Sequence, residues 1–183
     1  MVLHFAGDVG YLTAANDPVA GVKEFDLNGS VLFQLESIDA IVRAYYESVS
    51  FDPGRLPDYG RLRTLFHPGA RITPPRSDDR IAAEVLEVEP FLERSRLLIQ
   101  SSELGSRGFR QREVFRSIEA FGNIAHLFST YESTLGEESA PFERGINSIQ
   151  LLKQGHGWGV LSMMWDVERQ DRLIPSQYTR EDS

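Results

Sequence analysis

The chain has 27 acidic residues and four histidines, which are side chains that can transfer a proton, and three of them stand out by their positions: Glu113, Asp166 and His67. Glu113 lies in a long predicted strand beside Phe115. Asp166 follows Trp165 at the end of the last predicted strand, and His67 stands where a short predicted helix ends. A carboxylate whose pKa is raised by burial, or an imidazole, suits general acid–base catalysis. We therefore take these three as candidate catalytic residues.

Each of the three also has an ordinary structural interpretation. Glu113 could face solvent and pair with neighbouring arginines, since structural ion pairs are common in such places. Asp166 could be a rim carboxylate or a cap, and His67 could be a histidine lying near the free carbonyls of a helix C-terminus. The sequence leaves both interpretations open for each residue.

A second set of residues could line a pocket for a flat ligand, because they are aromatic, apolar or amide-bearing and fall in predicted helices and strands. The set is Tyr45, Tyr46, Phe66, Tyr131, Asn147, Met164 and Trp165. Aromatic spacing by itself is evidence of packing, so an ordinary core position is the alternative for most of them.

The composition argues against several classes of function. The formal net charge of -8 disfavours nucleic acid and anionic membrane surfaces as partners. No apolar run approaches the roughly 20 residues that a membrane span needs. The N-terminus does not resemble a signal peptide, so we expect a cytoplasmic location. The chain has no cysteine, its four histidines are scattered and it has no glycine-rich phosphate loop, so we expect neither a metal nor a cofactor.

Four runs in the second half of the chain predict long antiparallel strands. Residues alternate with period two and are rich in β-branched and aromatic types, and Gly122–Asn123 is a hairpin signal. The predicted strands span 110–121, 124–133, 143–153 and 158–167. The second of them carries apolar groups on both faces, so both faces are expected to be covered.

The first half of the chain predicts helices with two short strands between them. The helices run over 31–50, from Asp58 to about His67, and over 91–104; the short strands run over 70–73 and 81–88. Ser30 or a neighbour is expected to cap the first helix, and Pro90 suits the first position of the third. Helices on one side of an antiparallel sheet make an α+β architecture.

The chain divides into three parts on this basis. Residues 1–30 are expected to form an irregular arm on the body or on a partner subunit, or else a partly disordered tail. Residues 31–170 form the domain, and residues 171–183 form a polar C-terminal tail.

The order of elements and four local runs resemble the nuclear transport factor 2-like superfamily, and within it the SnoaL-like, polyketide cyclase-like branch. The runs are Ile41–Val42–Arg43–Ala44–Tyr45–Tyr46, Leu65–Phe66–His67–Pro68–Gly69–Ala70, Gly122–Asn123–Ile124–Ala125–His126 to Tyr131, and Gly157–Trp158–Gly159–Val160 to Trp165. The resemblance covers residues 31 to about 170.

This resemblance implies a cone-shaped curved antiparallel sheet packed on three helices, with a hydrophobic pocket inside the cone. It implies that the outer sheet face pairs two subunits, and Ile124, His126 and Phe128 would then lie in a homodimer interface. A member similar to a steroid isomerase would set a carboxylate on the sheet against a tyrosine on the first helix. Glu113 with Tyr45 or Tyr46 could form such a dyad.

Two functions are compatible with these features. One is a cofactor-free isomerase, cyclase or dehydratase that acts on a small apolar carbonyl compound by proton transfer. The other is a non-catalytic ligand-binding or accessory dimeric module. Fold alone does not separate the two.

Overall fold

The structure, a computed structural model, describes residues 35–75, 83–155 and 157–179, together with the backbone of four short strands before them. These four are β1 (Val2–Ala6), β2 (Val9–Thr13), β3 (Lys23–Phe25) and β4 (Val31–Phe33). They pair in sequence order as an antiparallel meander. The N-terminal segment therefore contains regular strands where the sequence suggested an irregular arm. Its other residues lie outside the described part.

The main sheet has five strands in the order β5-β9-β8-β7-β6. They are β5 (Phe66–Thr73), β6 (Phe109–Phe121), β7 (Ile124–Leu135), β8 (Glu143–Gln154) and β9 (Gly157–Val167). The four long strands pair antiparallel, within a few residues of the predicted bounds. β5 differs, because it pairs with β9 in parallel and makes the sheet mixed. Parallel neighbours need a long connection, and here two helices and three strands intervene.

The helices pack on one face of this sheet, which confirms the predicted α+β class. They are α1 (Ile38–Val49), α2 (Tyr59–Leu65), α3 (Val88–Ser101) and the short α4 (Glu103–Arg107). The buried core lies between them and the sheet and includes Ile41 on α1 and Leu127 on β7, which are at most 1% exposed. Among the described residues, no helix is long and apolar enough to cross a membrane.

Several predicted boundaries are wrong. β5 begins at Phe66 and not at 70, and Pro90 is the third residue of α3 and not the first. The first helix starts at Ile38 and not at 31, because Ser37 caps it by accepting a hydrogen bond of 3.1 Å from the Ala40 amide. The predicted strand 81–88 is reduced to one bridge, in which Leu86 exchanges backbone hydrogen bonds with Ile72. α3 then begins at Val88. Residues 81 and 82 lie outside the described part of the chain.

The C-terminal tail lies against the outer face of the sheet, the face turned away from the helices. The Thr130 hydroxyl on β7 donates to the Tyr178 carbonyl at 2.7 Å, and the rings of Phe128 and Tyr178 lie 5.2 Å apart. Thr130 and Phe128 alternate with the inward-facing residues of β7, so this contact is on the outer side. Residues 180–183 of the predicted tail lie outside the described residues.

Candidate functional site

A buried hydrogen-bond network joins α1 to three strands of the sheet. The Tyr46 hydroxyl oxygen lies 2.7 Å from the Ser129 hydroxyl oxygen on β7. The Asn147 side-chain amide on β8 donates to the Tyr46 oxygen at 3.0 Å, and the Ser129 hydroxyl donates to the Glu113 carboxylate on β6 at 2.5 Å. Tyr46, Ser129 and Asn147 are all at most 6% exposed. The network therefore links a helix tyrosine to a sheet carboxylate through one serine.

The direction of each hydrogen bond in this network follows from proton counting. A hydroxyl has one proton, and that of Ser129 is directed at Glu113. Ser129 must then accept from Tyr46, whose own oxygen accepts from Asn147. All the donors point along one row from Asn147 to Glu113. Burial raises the pKa of the Tyr46 phenol well above its usual range, so this tyrosine stays protonated and keeps its place in the row.

A β-bulge in β6 turns Glu113 toward the helices. Glu113 pairs with Tyr131 and Phe115 with Thr130, so Val114 is an extra residue between them. The bulge shifts the alternation by one position. Glu113 therefore faces inward while Phe115 faces outward, although strict alternation would put them on the same face.

The second oxygen of Glu113 lies 3.0 Å from the Arg116 guanidinium, which itself lies 2.9 Å from the Asp39 carboxylate in the first turn of α1. The Glu113 and Arg116 side chains are 20% and 17% exposed. The structural interpretation of Glu113 is thus partly right, because it has an arginine partner. It does not face open solvent.

A cleft of about 390 Å³ opens beside Glu113, between α1 and β6. We call it the α1–β6 cleft. It is lined by Val42, Arg43, Tyr46, Glu47, Ser50, Gln111, Arg112 and Glu113. The carboxylate at one end of the hydrogen-bond row and the tyrosine in its middle therefore both border one space that a small molecule can enter.

Solved structures share this architecture across most of the chain. A protein of unknown function with a cystatin-like fold from Nostoc punctiforme PCC 73102 matches with a TM-score of 0.56 at 13% identity, over 73% of this chain and 90% of that one. An NTF2-like protein of unknown function from Pseudomonas putida KT2440 also has a TM-score of 0.56, at 9% identity, over 79% of this chain and 93% of that one. This chain has the nuclear transport factor 2-like (NTF2-like) fold.

A third solved structure is described as a putative ketosteroid isomerase from Parabacteroides distasonis ATCC 8503. It matches with a TM-score of 0.52 at 14% identity, over 74% of this chain and 91% of that one. No family model matches the sequence, and no curated protein matches it closely. At these identities the likeness shows the fold alone.

His67 and Phe66 occupy a different region of the NTF2-like fold. Both border a cleft of about 670 Å³ between β5 and the start of α3, away from Glu113. The His67 Nε2 donates to the Leu152 carbonyl at 2.9 Å, and the ring packs on Gly159, where a Cβ would lie 2.7 Å from that nitrogen. These contacts make His67 part of the packing between β5 and β9.

Asp166 and Met164 lie on the outer face of the sheet. Asp166 is exposed, accepts a hydrogen bond of 2.9 Å from the Val167 amide and pairs with Arg172 of the tail. Met164 is 49% exposed. Their neighbour Trp165 faces inward and packs edge-to-face on Phe91 of α3. The structure therefore does not bring Asp166 together with Glu113 or His67.

The sequence did not predict a second contact between a tyrosine and a carboxylate, which joins Tyr131 to Glu143. The Tyr131 hydroxyl donates to the Glu143 carboxylate at 3.1 Å, and Gly145 leaves room for that hydroxyl, since a Cβ there would lie 2.6 Å from it. Burial raises the pKa of Glu143, although the hydrogen bond from Tyr131 opposes the shift. The remaining ring, Tyr45, packs edge-to-face on Tyr46 at 5.3 Å, and burial raises its pKa as well.

Alternation along β7 could have predicted that Ser129 is buried. Ser129 lies on the same face of β7 as Leu127 and Tyr131, so it is a hydroxyl on an apolar, inward face. A buried hydroxyl needs a partner, which predicts a polar network there.

Within the described residues, no group of three or more metal-ligating side chains could hold a metal ion.

Proposed function

We propose that the α1–β6 cleft binds a small, largely apolar carbonyl compound and that Glu113 transfers a proton within it. The carboxylate would take a proton from the carbon beside the carbonyl and return it to another carbon of the same molecule. No external oxidant or reductant is needed, because the proton taken and the proton returned balance. The likeness in fold to NTF2-like proteins is compatible with this role.

The observation that supports the proposal most is the shared partner of Glu113 and Tyr46. Ser129 bonds to both, so a potential base and a potential phenol donor border the same cleft. A phenol can stabilise the oxyanion that forms when the neighbouring carbon loses its proton. For this, the Tyr46 hydroxyl would have to turn from Ser129 toward the bound carbonyl.

The test uses a β,γ-unsaturated cyclic ketone, whose isomerisation to the conjugated ketone is followed by ultraviolet absorbance. We expect Glu113→Gln to lower the rate by about 10²–10⁴-fold, the usual contribution of a positioned acid–base group. Tyr46→Phe is expected to lower it by about 10²-fold, as the loss of one oxyanion donor does.

Glu119→Gln is the matched control, because Glu119 lies on the same strand but is exposed on the outer face opposite His126. It should retain the full rate. An unchanged rate in Glu113→Gln, measured on protein with an unaltered melting temperature, would remove Glu113 from the mechanism.

A non-catalytic ligand-binding module is the second candidate, and one observation favours it. Both oxygens of Glu113 already have partners, Ser129 and Arg116. A carboxylate held in this way could simply stabilise the packing of α1 on the sheet. This function predicts ligand affinity in the α1–β6 cleft with no turnover of any ketone tested.

We also retain three further proposals from the sequence: the SnoaL-like branch, a cytoplasmic location and a homodimer through the outer sheet face. The exposed apolar residues Phe121 and Ile124, at 85% and 59%, support the last of these. Sedimentation at micromolar concentration tests it. Phe121→Ser together with Ile124→Ser should then shift the protein to monomer, and a wild-type protein that is already monomeric would end the proposal.

A further inference from the structure

The C-terminal tail is fastened to the outer sheet face at three places. The Glu168 carboxylate accepts a hydrogen bond of 3.0 Å from the Ile174 amide, Arg172 pairs with Asp166, and the Tyr178 carbonyl accepts from Thr130. Between these contacts, residues 173–175 pass over the strands below. These contacts therefore hold the tail in place over part of the outer face.

A cleft of about 400 Å³ lies between the tail and the outer face of the sheet. We call it the tail cleft. On the sheet it is bordered by Phe128, Ile146, Ser148 and Met164, and on the tail by Leu173 and Pro175. Its volume falls in the range of roughly 300–1,000 Å³ that is typical of small-molecule sites, which are mostly apolar with a few polar groups.

The charged side chains of the described residues that border the tail cleft are already paired. Asp166 pairs with Arg172, and Glu168 pairs with Arg144 at 3.2 Å. A charged ligand would have to break one of these contacts or enter an apolar space without a counter-ion, and both are unfavourable. The cleft therefore favours an uncharged ligand.

Ser148 gives the tail cleft an uncharged polar group on β8. Its oxygen lies 3.2 Å from the His126 Nε2 on β7. When the imidazole donates to Ser148, the serine proton is left to donate to a ligand acceptor. We propose that the tail cleft binds a small uncharged apolar molecule that carries one hydrogen-bond acceptor, such as a ketone or an ester, next to Ser148.

Other occupants fit the tail cleft less well. Residues 180–183 of this chain are Arg, Glu, Asp and Ser, which are too polar for it. A homodimer contact at Phe121 and Ile124 would use the outer face at the hairpin between β6 and β7, and neither residue borders the tail cleft. The tail cleft is separate from the α1–β6 cleft, because the two lie on opposite faces of β7. Ser129, which bonds to Glu113, points to the inner face, and Phe128, which borders the tail cleft, points to the outer face.

The experiment titrates the full chain into 6-propionyl-2-(dimethylamino)naphthalene, a neutral ketone whose emission moves to the blue in an apolar site. Met164→Trp fills part of the cleft and should weaken binding by about tenfold, a loss that corresponds to one good apolar contact. Leu161→Trp is the matched control. Leu161 is on the same strand, is 44% exposed against 49% for Met164, and does not border the cleft.

Leu173→Ser is a second variant that keeps the test valid if Met164→Trp folds poorly. Leu173 is 69% exposed, so replacing it should weaken binding of the probe without unfolding the chain. A saturable component of binding that both variants weaken, and that Leu161→Trp and Glu113→Gln leave unchanged, supports the proposal. Absence of saturable binding, equal weakening by Leu161→Trp, loss of binding in Glu113→Gln, or probe binding that rises with self-association of the chain would each overturn it.

Discussion

Tyr46→Phe is the variant that tests the buried hydrogen-bond row most directly. The change removes one oxygen and leaves the ring in place, so packing against Tyr45 is preserved. The Asn147 amide, at 2% exposure, loses the acceptor that lies 3.0 Å away, and Ser129 loses the donor at 2.7 Å. A buried donor left without a partner costs about 1–3 kcal/mol. We expect the free energy of unfolding to fall by about 2 kcal/mol.

The measurement is urea denaturation of both proteins, with the slope of the transition compared as well as its midpoint. Tyr59→Phe is the control, because the Tyr59 hydroxyl also meets a serine, Ser95 at 3.3 Å, but in a half-exposed setting. It should cost well under about 1 kcal/mol. A loss in Tyr46→Phe no larger than that in Tyr59→Phe would refute the assignment of the row.

A double-mutant cycle separates the free-energy cost of the unpaired Asn147 amide from the cost of losing the Tyr46 hydroxyl. Asn147→Leu removes the amide that Tyr46→Phe leaves unpaired. The double variant should therefore be more stable than the sum of the two single losses predicts, by about 0.5–3 kcal/mol. Strict additivity would mean that the Asn147 amide finds another partner and that the row is not continuous.

Three further predictions concern the contact between Tyr131 and Glu143 and the packing of His67 on Gly159. Gly145→Ala should destabilise the chain by about 1–3 kcal/mol, since a Cβ there would lie 2.6 Å from the Tyr131 hydroxyl, and urea denaturation checks this. Gly159→Ala should cost a similar amount by displacing His67, and nuclear magnetic resonance should show a changed His67 ring environment. Because burial raises the pKa of Glu143, its contribution to stability is present below the ordinary glutamate pKa and is lost as pH rises through the raised value. Glu143→Gln should therefore gain stability relative to wild type between about pH 4 and neutrality, and a constant difference across that range would contradict the shift.

The sequence predicted the sheet well because its strands carry a strong, regular signal. Period-two alternation and the Gly122–Asn123 turn placed β6 and β7 within two residues of their observed bounds. The N-terminal strands were missed because they are only three to five residues long and are separated by glycine-containing segments. The start of α1 was misjudged because the apolar run 31–33 reads equally well as helix or strand.

Side-chain roles were harder to predict, since they depend on contacts between distant segments. His67 was expected at the end of a short helix, and the sequence could not reveal that it packs on Gly159 and bonds to Leu152. Asp166 was expected to be a catalytic residue, a rim carboxylate or a cap. Its partner Arg172 follows it closely in sequence, but only the return of the tail toward β9 brings the two together.

The bulge at Val114 shows why pattern alone could not place Glu113. Alternation from Phe115 outward would have put Glu113 on the outer face, beside the tail and far from α1. The extra residue reverses this, and Glu113 then meets Ser129 while Arg116, three positions on, faces inward as well. Two inward charges of opposite sign can be buried here only because the bulge brings them to the same face, where each neutralises the other. Glu113, Arg116 and the bulge therefore form one structural feature, and the α1–β6 cleft owes its carboxylate to that single irregular residue.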